Sequence, residues 1–372
     1  MVRRGFWPAA LLLAAGCAKL DWPAAFVPAR YTLAQLGSGT AAKPGSGKSA
    51  AMYEAAAPIA ETVTKALLEG FGTPEKPAIA GADETRNAAI LRGSRLYRVN
   101  CMYCHGMNGD GAGPSATLYE PRPRDYRRGA FKWKSTLANS KPRRSDLRRT
   151  LSEGISGTAM PPFKLLPADQ LDDLVEYVAF LSQRGETEFN LLYKAQQDAP
   201  EKPDELTEFL KEDWPQSMKE QFARVANGWN DAALAKELVP ISGTRVEPRS
   251  DDDPDFDASV SRGRELFLGA GGCVKCHGLD GKGGSRELKP DDELNFDQWG
   301  QPTRPRNLKE GVFRGGRAPV DLFRRIHQGI APSKMPASEK ALKPEQIWDL
   351  VNFLRTLPYR SDLLPPAAGA VR

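Results

Sequence analysis

The pentapeptide Cys101-Met102-Tyr103-Cys104-His105 recurs in this chain as Cys273-Val274-Lys275-Cys276-His277. Two thiols spaced along a short helical turn reach both vinyl groups of one porphyrin and form two thioether bonds. The histidine that follows directly then lies under the iron and supplies an imidazole ligand. The pattern therefore predicts two covalently bound c-type haems, with His105 and His277 as axial ligands.

Three other kinds of site also use a C-x-x-C pair. A zinc site would gather cysteines and histidines into one cluster. A disulfide pair needs only the two thiols, and a thioredoxin-like redox pair needs no adjacent histidine and expects a βαβ context, which is absent here. Two copies of the pentapeptide, each followed at a similar distance by Met-Pro, favour haem.

Length and charge set further bounds. A chain of 372 residues with 40% hydrophobic residues is long enough for two or three domains with buried cores. The formal net charge of +5 is modest. Haem propionates would offset most of it, so no nucleic-acid partner is predicted.

The first 17 residues resemble an export signal. Arg3 and Arg4 precede a short apolar stretch that is too short to span a bilayer as a helix. It ends in Leu13-Ala14-Ala15-Gly16-Cys17, which resembles a bacterial lipoprotein signal, although Ala14 stands where leucine is usual. We expect Cys17 to carry lipid and to anchor an extracytoplasmic protein on the periplasmic side. The alternative is an ordinary secretory signal with an incidental cysteine.

The rest of the chain divides by composition. Residues 18–82 are rich in Ala, Gly, Pro and Ser and predict a flexible tether, with a possible helix over Met52–Leu68 that Pro58 breaks. Two domains are predicted at residues 83–185 and 257–360. Residues 186–256 contain no motif and predict short helices, and residues 361–372 predict a loose tail.

The second domain repeats the first. Leu96-Tyr97 matches Leu266-Phe267, and Arg122-Pro123-Arg124-Asp125 matches Arg304-Pro305-Arg306-Asn307. Gly154-Ile155 with Met160-Pro161 matches Gly329-Ile330 with Met335-Pro336. Each half therefore has a helix, an attachment loop, a second helix (for which Ser145 is a plausible N-cap in the first half), a methionine loop and a closing helix.

This order resembles class I cytochrome c domains, present twice. The resemblance implies an all-α fold of two tandem helical domains, each wrapped around one covalent haem, joined by a helical or loop segment. It also implies that Met160 and Met335 are the second axial ligands, on loops that proline helps to fix. Met102, Met107 and Met218 are rival candidates, and all of these methionines can equally be apolar gap fillers.

Several other residues in the two domains can be interpreted in more than one way. His327 is read as a surface or helix-packing residue. Trp133 has no equivalent after Phe313 and either covers the first haem or packs in the core. The basic stretch Arg122–Arg149 either steers an acidic redox partner or is a solvated face.

The paired Arg-Pro-Arg segments suggest contacts around each haem. An arginine can bind a haem propionate bidentately, and a backbone carbonyl near Pro123 or Pro305 can accept from the imidazole N–H of the ligand histidine. The alternative is a solvated basic loop. The candidates are Arg122, Pro123, Arg124, Arg304, Pro305 and Arg306.

Together these features predict an electron carrier rather than an enzyme. His/Met ligation closes both axial positions of the iron, which leaves no position for a substrate. The expected partners are redox proteins or membrane respiratory complexes. Two alternatives stay open: a permanently bound cytochrome subunit of a respiratory complex, and a di-haem peroxidase-like enzyme with one open iron site.

Overall fold

The computed structural model describes residues 26, 56–200, 202–248, 250, 252–283, 296–297 and 301–366. Within these ranges the chain is helical, and its β contacts are isolated bridges only. The all-α prediction is confirmed. The export signal, Cys17 and most of the predicted tether lie outside the described residues.

Twelve α-helices occur in the described part of the chain. They are α1 Ala56–Phe71, α2 Glu84–Asn100, α3 Met102–His105, α4 Arg144–Glu153, α5 Ala168–Asp198, α6 Pro203–Glu212, α7 Trp214–Gly228, α8 Asp231–Leu234, α9 Pro254–Leu268, α10 Val274–His277, α11 Pro319–Gln328 and α12 Pro344–Thr356.

Each domain is closed by a crossing of its first and last long helices, α2 with α5 and α9 with α12. At the two crossing points stand Gly93 and Gly263. A Cβ on Gly93 would overlap the carbonyl oxygen of Asp173, and one on Gly263 would overlap that of Asp349. The helices therefore approach backbone to backbone, which only glycine permits.

Side chains on both sides of each glycine reinforce the crossing. Arg92 forms two parallel hydrogen bonds of 2.8 and 2.7 Å to the Asp173 carboxylate, and Arg262 does the same to Asp349. An aromatic pair follows one turn later. The ring centroids are 5.2 Å apart for Tyr97 and Tyr177, and 5.4 Å apart for Phe267 and Phe353.

The core of the first domain extends into flanking segments on both sides. Helix α1 contributes an apolar face that includes Ile59 and Phe71, and the middle segment contributes Trp214 and Val225. Helix α5 continues past residue 185, where the domain was predicted to end, because Leu191 and Ala195 extend its buried face.

The later residues of the middle segment lie against the second domain. The backbone carbonyl of Ser242 accepts a 2.9 Å hydrogen bond from the Trp348 indole, and that of Val246 accepts a 3.0 Å bond from the Asn352 amide. Residues 186–256 therefore pack on both domains.

Three local expectations differ from the structure. Pro58 does not break α1, because it lies in the first turn, where its missing N–H costs no hydrogen bond. Helix α4 begins before the predicted N-cap Ser145, and the Asp146 carboxylate accepts from the Arg143 N–H instead. The predicted loose tail begins with a 3₁₀ turn at Ser361–Leu363, and Leu364 is buried in the second core.

None of the described helices combines the length and the apolar character that a membrane-spanning helix requires.

The helix crossings generate a prediction. Gly93→Ala and Gly263→Ala should each lower the free energy of unfolding by about 1–3 kcal/mol, because the added methyl group forces two backbones apart. The measurement is thermal or denaturant unfolding of the haem-bound protein. Gly228→Ala is the matched control, since a Cβ there meets nothing within 4 Å. Equal stability of all three variants would contradict the close-approach argument.

Candidate functional site

The seven site residues predicted for the first domain line one cavity of about 1320 Å³, including its open mouth. Cys101, Cys104 and His105 lie on one side, on and beside α3, and Met160 comes from the loop before α5. Arg122, Pro123 and Arg124 also line it.

A backbone carbonyl orients each predicted ligand histidine. The Nδ1 atoms of His105 and His277 each lie 3.2 Å from a carbonyl oxygen, of Arg124 and Arg306 respectively. A carbonyl only accepts, so Nδ1 carries the proton and Nε2 keeps its lone pair. Both carbonyls belong to the Arg-Pro-Arg segments, one residue after the proline named from the sequence.

Burial also favours the neutral imidazole. It lowers the pKa of His105 and of His277 below the usual value, and the hydrogen bond to the carbonyl opposes this only in part. A neutral imidazole with a free Nε2 lone pair is the form that binds iron.

The methionine loops, residues 154–161 and 329–336, share one geometry. The carbonyl oxygen of each methionine accepts a 3.1 Å hydrogen bond from an isoleucine N–H, Ile155 for Met160 and Ile330 for Met335. A hydroxyl closes the turn: Thr158 Oγ1 lies 3.1 Å from the Met160 N–H. Ser333 does the same at 3.5 Å for Met335. A hydroxyl residue two positions before each methionine is the sequence signal for this turn.

A glycine opens each methionine loop. Gly154 has a φ of 66° and Gly329 a φ of 71°, which other residues rarely adopt. A Cβ on Gly154 would lie 2.7 Å from the Met160 carbonyl oxygen, and one on Gly329 would lie 2.6 Å from that of Met335. The loop can therefore fold back toward the cavity only with glycine at this position.

The donor set fits a covalent haem in the first cavity. Two thiols, a neutral imidazole and a thioether line it together with apolar side chains such as Leu147, Leu151 and Val178. None of the four described motif cysteines is in a disulfide, and burial raises the pKa of the Cys101 thiol to about 12 and that of Cys273 to about 11. In the described ranges no three His, Cys, Asp or Glu side chains group as a metal site.

Three tyrosines distinguish the first site from the second. Tyr97 donates a 2.7 Å hydrogen bond to the Gly106 carbonyl and lies 3.1 Å from the Tyr126 hydroxyl. The ring centroids of Tyr126 and His105 are 5.0 Å apart. The equivalent positions in the second domain are Phe267, Leu308 and, for Tyr177, Phe353. The repeat already places Tyr97 opposite Phe267, and the same alignment continued through the domains gives the other two differences.

The remaining candidate residues do not line the first cavity. His327 stacks on Phe323 at 5.7 Å within α11, as expected for a helix-packing residue. Met102 and Met218 pack against the first core. Arg304 is exposed, and Arg306 lies 3.7 Å from Glu310 and beside Gly157 of the first methionine loop.

The basic stretch Arg122–Arg149 is mostly paired with acidic residues, so the expectation of an open basic face is wrong for much of it. Lys134 is buried and donates to the carbonyl oxygens of Leu137, Ala138 and Ser140. Six further basic residues of the stretch form ion pairs, which are Arg127–Asp125, Lys141–Glu186, Arg143–Asp231, Arg144–Glu176, Arg148–Asp172 and Arg149–Asp321.

Comparison with known proteins agrees with this geometry. The family model of cytochrome c matches residues 90–182 and again residues 260–358, together just over half of the chain. A chain of the reducing HAO-like protein complex of Kuenenia stuttgartiensis is similar in structure, with a TM-score of 0.50 and 23% identity. The likeness covers 72% of this chain and 95% of that one, and at this identity it concerns the fold alone. No curated protein matches the chain.

The geometry of the methionine loops predicts the effect of removing each methionine sulfur. Met160→Ala and Met335→Ala should each abolish about half of the weak near-infrared methionine–iron band, because each sulfur serves one iron. The measurement is the absorption spectrum of the oxidised protein. Met218→Ala, which removes a methionine packed against the first core, should leave the band unchanged. A full band in either loop variant would exclude that methionine as a ligand.

Proposed function

Since the chain belongs to the cytochrome c family, we propose that it is an exported di-haem cytochrome c that carries electrons within a respiratory chain. The two cytochrome c domains imply covalently bound c-type haem and haem-based electron transfer, and two domains fit two haems. The observation that carries the proposal is the repeated pairing of a carbonyl-held histidine with a closed methionine loop.

The protein residues have separate tasks in this function. The cysteines fix the haem covalently, and the iron supplies the one-electron chemistry when the haem is bound. The carbonyls of Arg124 and Arg306 hold the imidazoles in one tautomer and one direction. The hydrogen-bonded loops of Met160 and Met335 would present the second ligand to each iron. Fixed ligands on both sides limit the rearrangement that a change of oxidation state requires.

The surface beside the first attachment helix supports docking of a redox partner. Val99, Tyr103 and Leu118 are 82%, 65% and 77% exposed. They lie close to Cys101 and Cys104 in the chain, and the backbone around Ser115 is hydrogen-bonded to Tyr103. Exposed apolar side chains near a buried cofactor are typical of interaction surfaces.

The proposed location rests on the amino-terminal sequence. A basic pair, a short apolar stretch and small residues before Cys17 are typical of a lipoprotein signal. Lipid on Cys17 would anchor the haem domains to a membrane without a spanning helix.

A second candidate function is a cytochrome subunit held permanently in a respiratory complex. The same exposed apolar side chains favour it, because a permanent interface would bury them. Purification from the native membrane distinguishes the two. A carrier leaves as a single chain, whereas a subunit leaves with its partners.

The carrier function predicts the redox behaviour of the purified protein. Titration should take up two electrons per chain, and the reduced protein should not bind carbon monoxide, because both axial positions of each iron are filled. Visible spectroscopy measures both properties. A high-spin haem that binds carbon monoxide or peroxide in the unmodified protein would instead support the peroxidase-like alternative.

The anchor predicts where the protein is found. Cys17→Ser should move the haem-bearing chain from the membrane fraction to the soluble extracytoplasmic fraction, because the lipid attachment atom is lost. Fractionation followed by haem staining measures this. If the unaltered chain already occurs in the soluble fraction, Cys17 is an incidental cysteine of an ordinary secretory signal.

A further inference from the structure

One residue of the second domain lines the cavity of the first. Arg314 faces the space that Cys104, His105 and Met160 line, whereas the other described lining residues fall between Asn100 and Val178. The first haem site, as the structure describes it, therefore includes a side chain from the second domain.

The loop that carries Arg314 is held firmly against the first domain. Arg314 Nη2 donates to the Gly157 carbonyl at 3.3 Å. Gly315 packs so closely on Trp133 that a Cβ there would overlap the indole ring. The Arg325 guanidinium donates to the Arg314 carbonyl and lies 5.7 Å from the Trp133 ring centroid. Trp133 thus lines the cavity and also contacts the second domain, and only the second of these roles was not suggested by the sequence.

Positive charge accumulates at this side of the cavity. Arg124 and Lys132 line it together with Arg314. Asp297 lies 3.8 Å from Arg124 and 3.9 Å from Lys132. Arg306 repels Arg314, and Glu120 of the first domain attracts it. Burial first, and then the neighbouring Arg124 and Arg314, lowers the pKa of Lys132 to about 8.

Arg314 also has an unused donor. Its Nε is buried and has no hydrogen-bond partner in the part of the chain that the structure describes. A buried guanidinium N–H without an acceptor is costly, and a carboxylate is the group that its planar fork fits best.

We propose that Arg314 and Lys132 bind a propionate carboxylate of the haem attached at Cys101 and Cys104, so that the second domain completes the first haem site. A bound propionate supplies the acceptor that Arg314 Nε lacks and the negative charge that the crowded cations need. This inference rests on haem attachment in the first domain and is independent of the proposed carrier role.

The proposal has a consequence for both domains. The propionate joins Gly157 and Trp133 as a contact between them, so docking of the second domain becomes coupled to the presence of the first haem. The same ion pair stabilises the ionised propionate. Its loss therefore raises the pKa of that carboxylate and leaves its charge less compensated, which favours the oxidised, more positive iron.

The test is the midpoint potential of each haem as a function of pH in Arg314→Gln. We expect the potential of the first haem to fall and the inflection of its pH profile to move to higher pH, with the second haem unchanged. The Met160→His variant, which exchanges an axial ligand of the first haem, identifies which wave belongs to it. Arg314→Lys should restore most of the wild-type profile.

Arg317→Gln is the matched control, because Arg317 lies three residues away, is exposed and bonds Tyr359 at 3.0 Å. If Arg314→Gln does not accumulate, Lys132→Gln tests the same carboxylate from the first domain. An unchanged pH profile, or an equal shift of both haems, overturns the proposal and leaves Arg314 as a docking residue for Gly157. Failure of haem attachment is a separate outcome, visible as the absence of a c-type haem spectrum in the unaltered protein.

Discussion

The approach of two helices, backbone to backbone, at Gly93 and Gly263 is the contact on which each domain depends. It joins the start and the end of a domain of roughly a hundred residues. The helix before the attachment motif is thereby fixed relative to the helix after the methionine loop. Once these two helices are fixed, the histidine and the methionine approach one cavity from different parts of the chain. The paired Arg92–Asp173 and Arg262–Asp349 contacts hold the same crossing at its edge.

Much of this arrangement could be predicted because its signals are local. The C-x-x-C-H spacing, the Met-Pro pair and the periodic helices need only neighbouring residues, and the repeat gives each of them a second copy. The length of α5 could not be predicted, since Leu191 is buried by partners far away in the chain. The basic stretch was misinterpreted for the same reason: Arg143 pairs with Asp231 and Arg149 with Asp321, at separations that no local pattern contains. Arg314 was missed because its role depends on how the two domains dock.

The two repeats share the same helices and loops but differ in the polarity of the side chains around the ligand histidine. Both domains have the carbonyl that binds the ligand histidine, the closed methionine loop and the helix crossing. Around His105, however, phenol groups of Tyr97 and Tyr126 form a hydrogen-bonded pair, where the second domain has Phe267 and Leu308. Burial raises the pKa of both tyrosines well above the usual value, so they stay neutral donors. Hydrogen-bonding and burial near an axial ligand are levers on haem potential, so the duplication has produced two sites that need not be equivalent.

The strip of chain at residues 242–247 lies across α12 by offering backbone carbonyls to Trp348 and Asn352. In those two bonds the specific donors belong to the second domain, while the strip contributes atoms that every residue possesses. Mutational tolerance should therefore be distributed unequally across this contact. Apart from Gly243, whose φ of 83° favours glycine, substitutions along the strip preserve the two acceptors, whereas replacement of either donor removes a bond that no change in the strip can restore. Sequence divergence between relatives of this protein can accordingly be wide in the strip and narrow at the two positions that hold it.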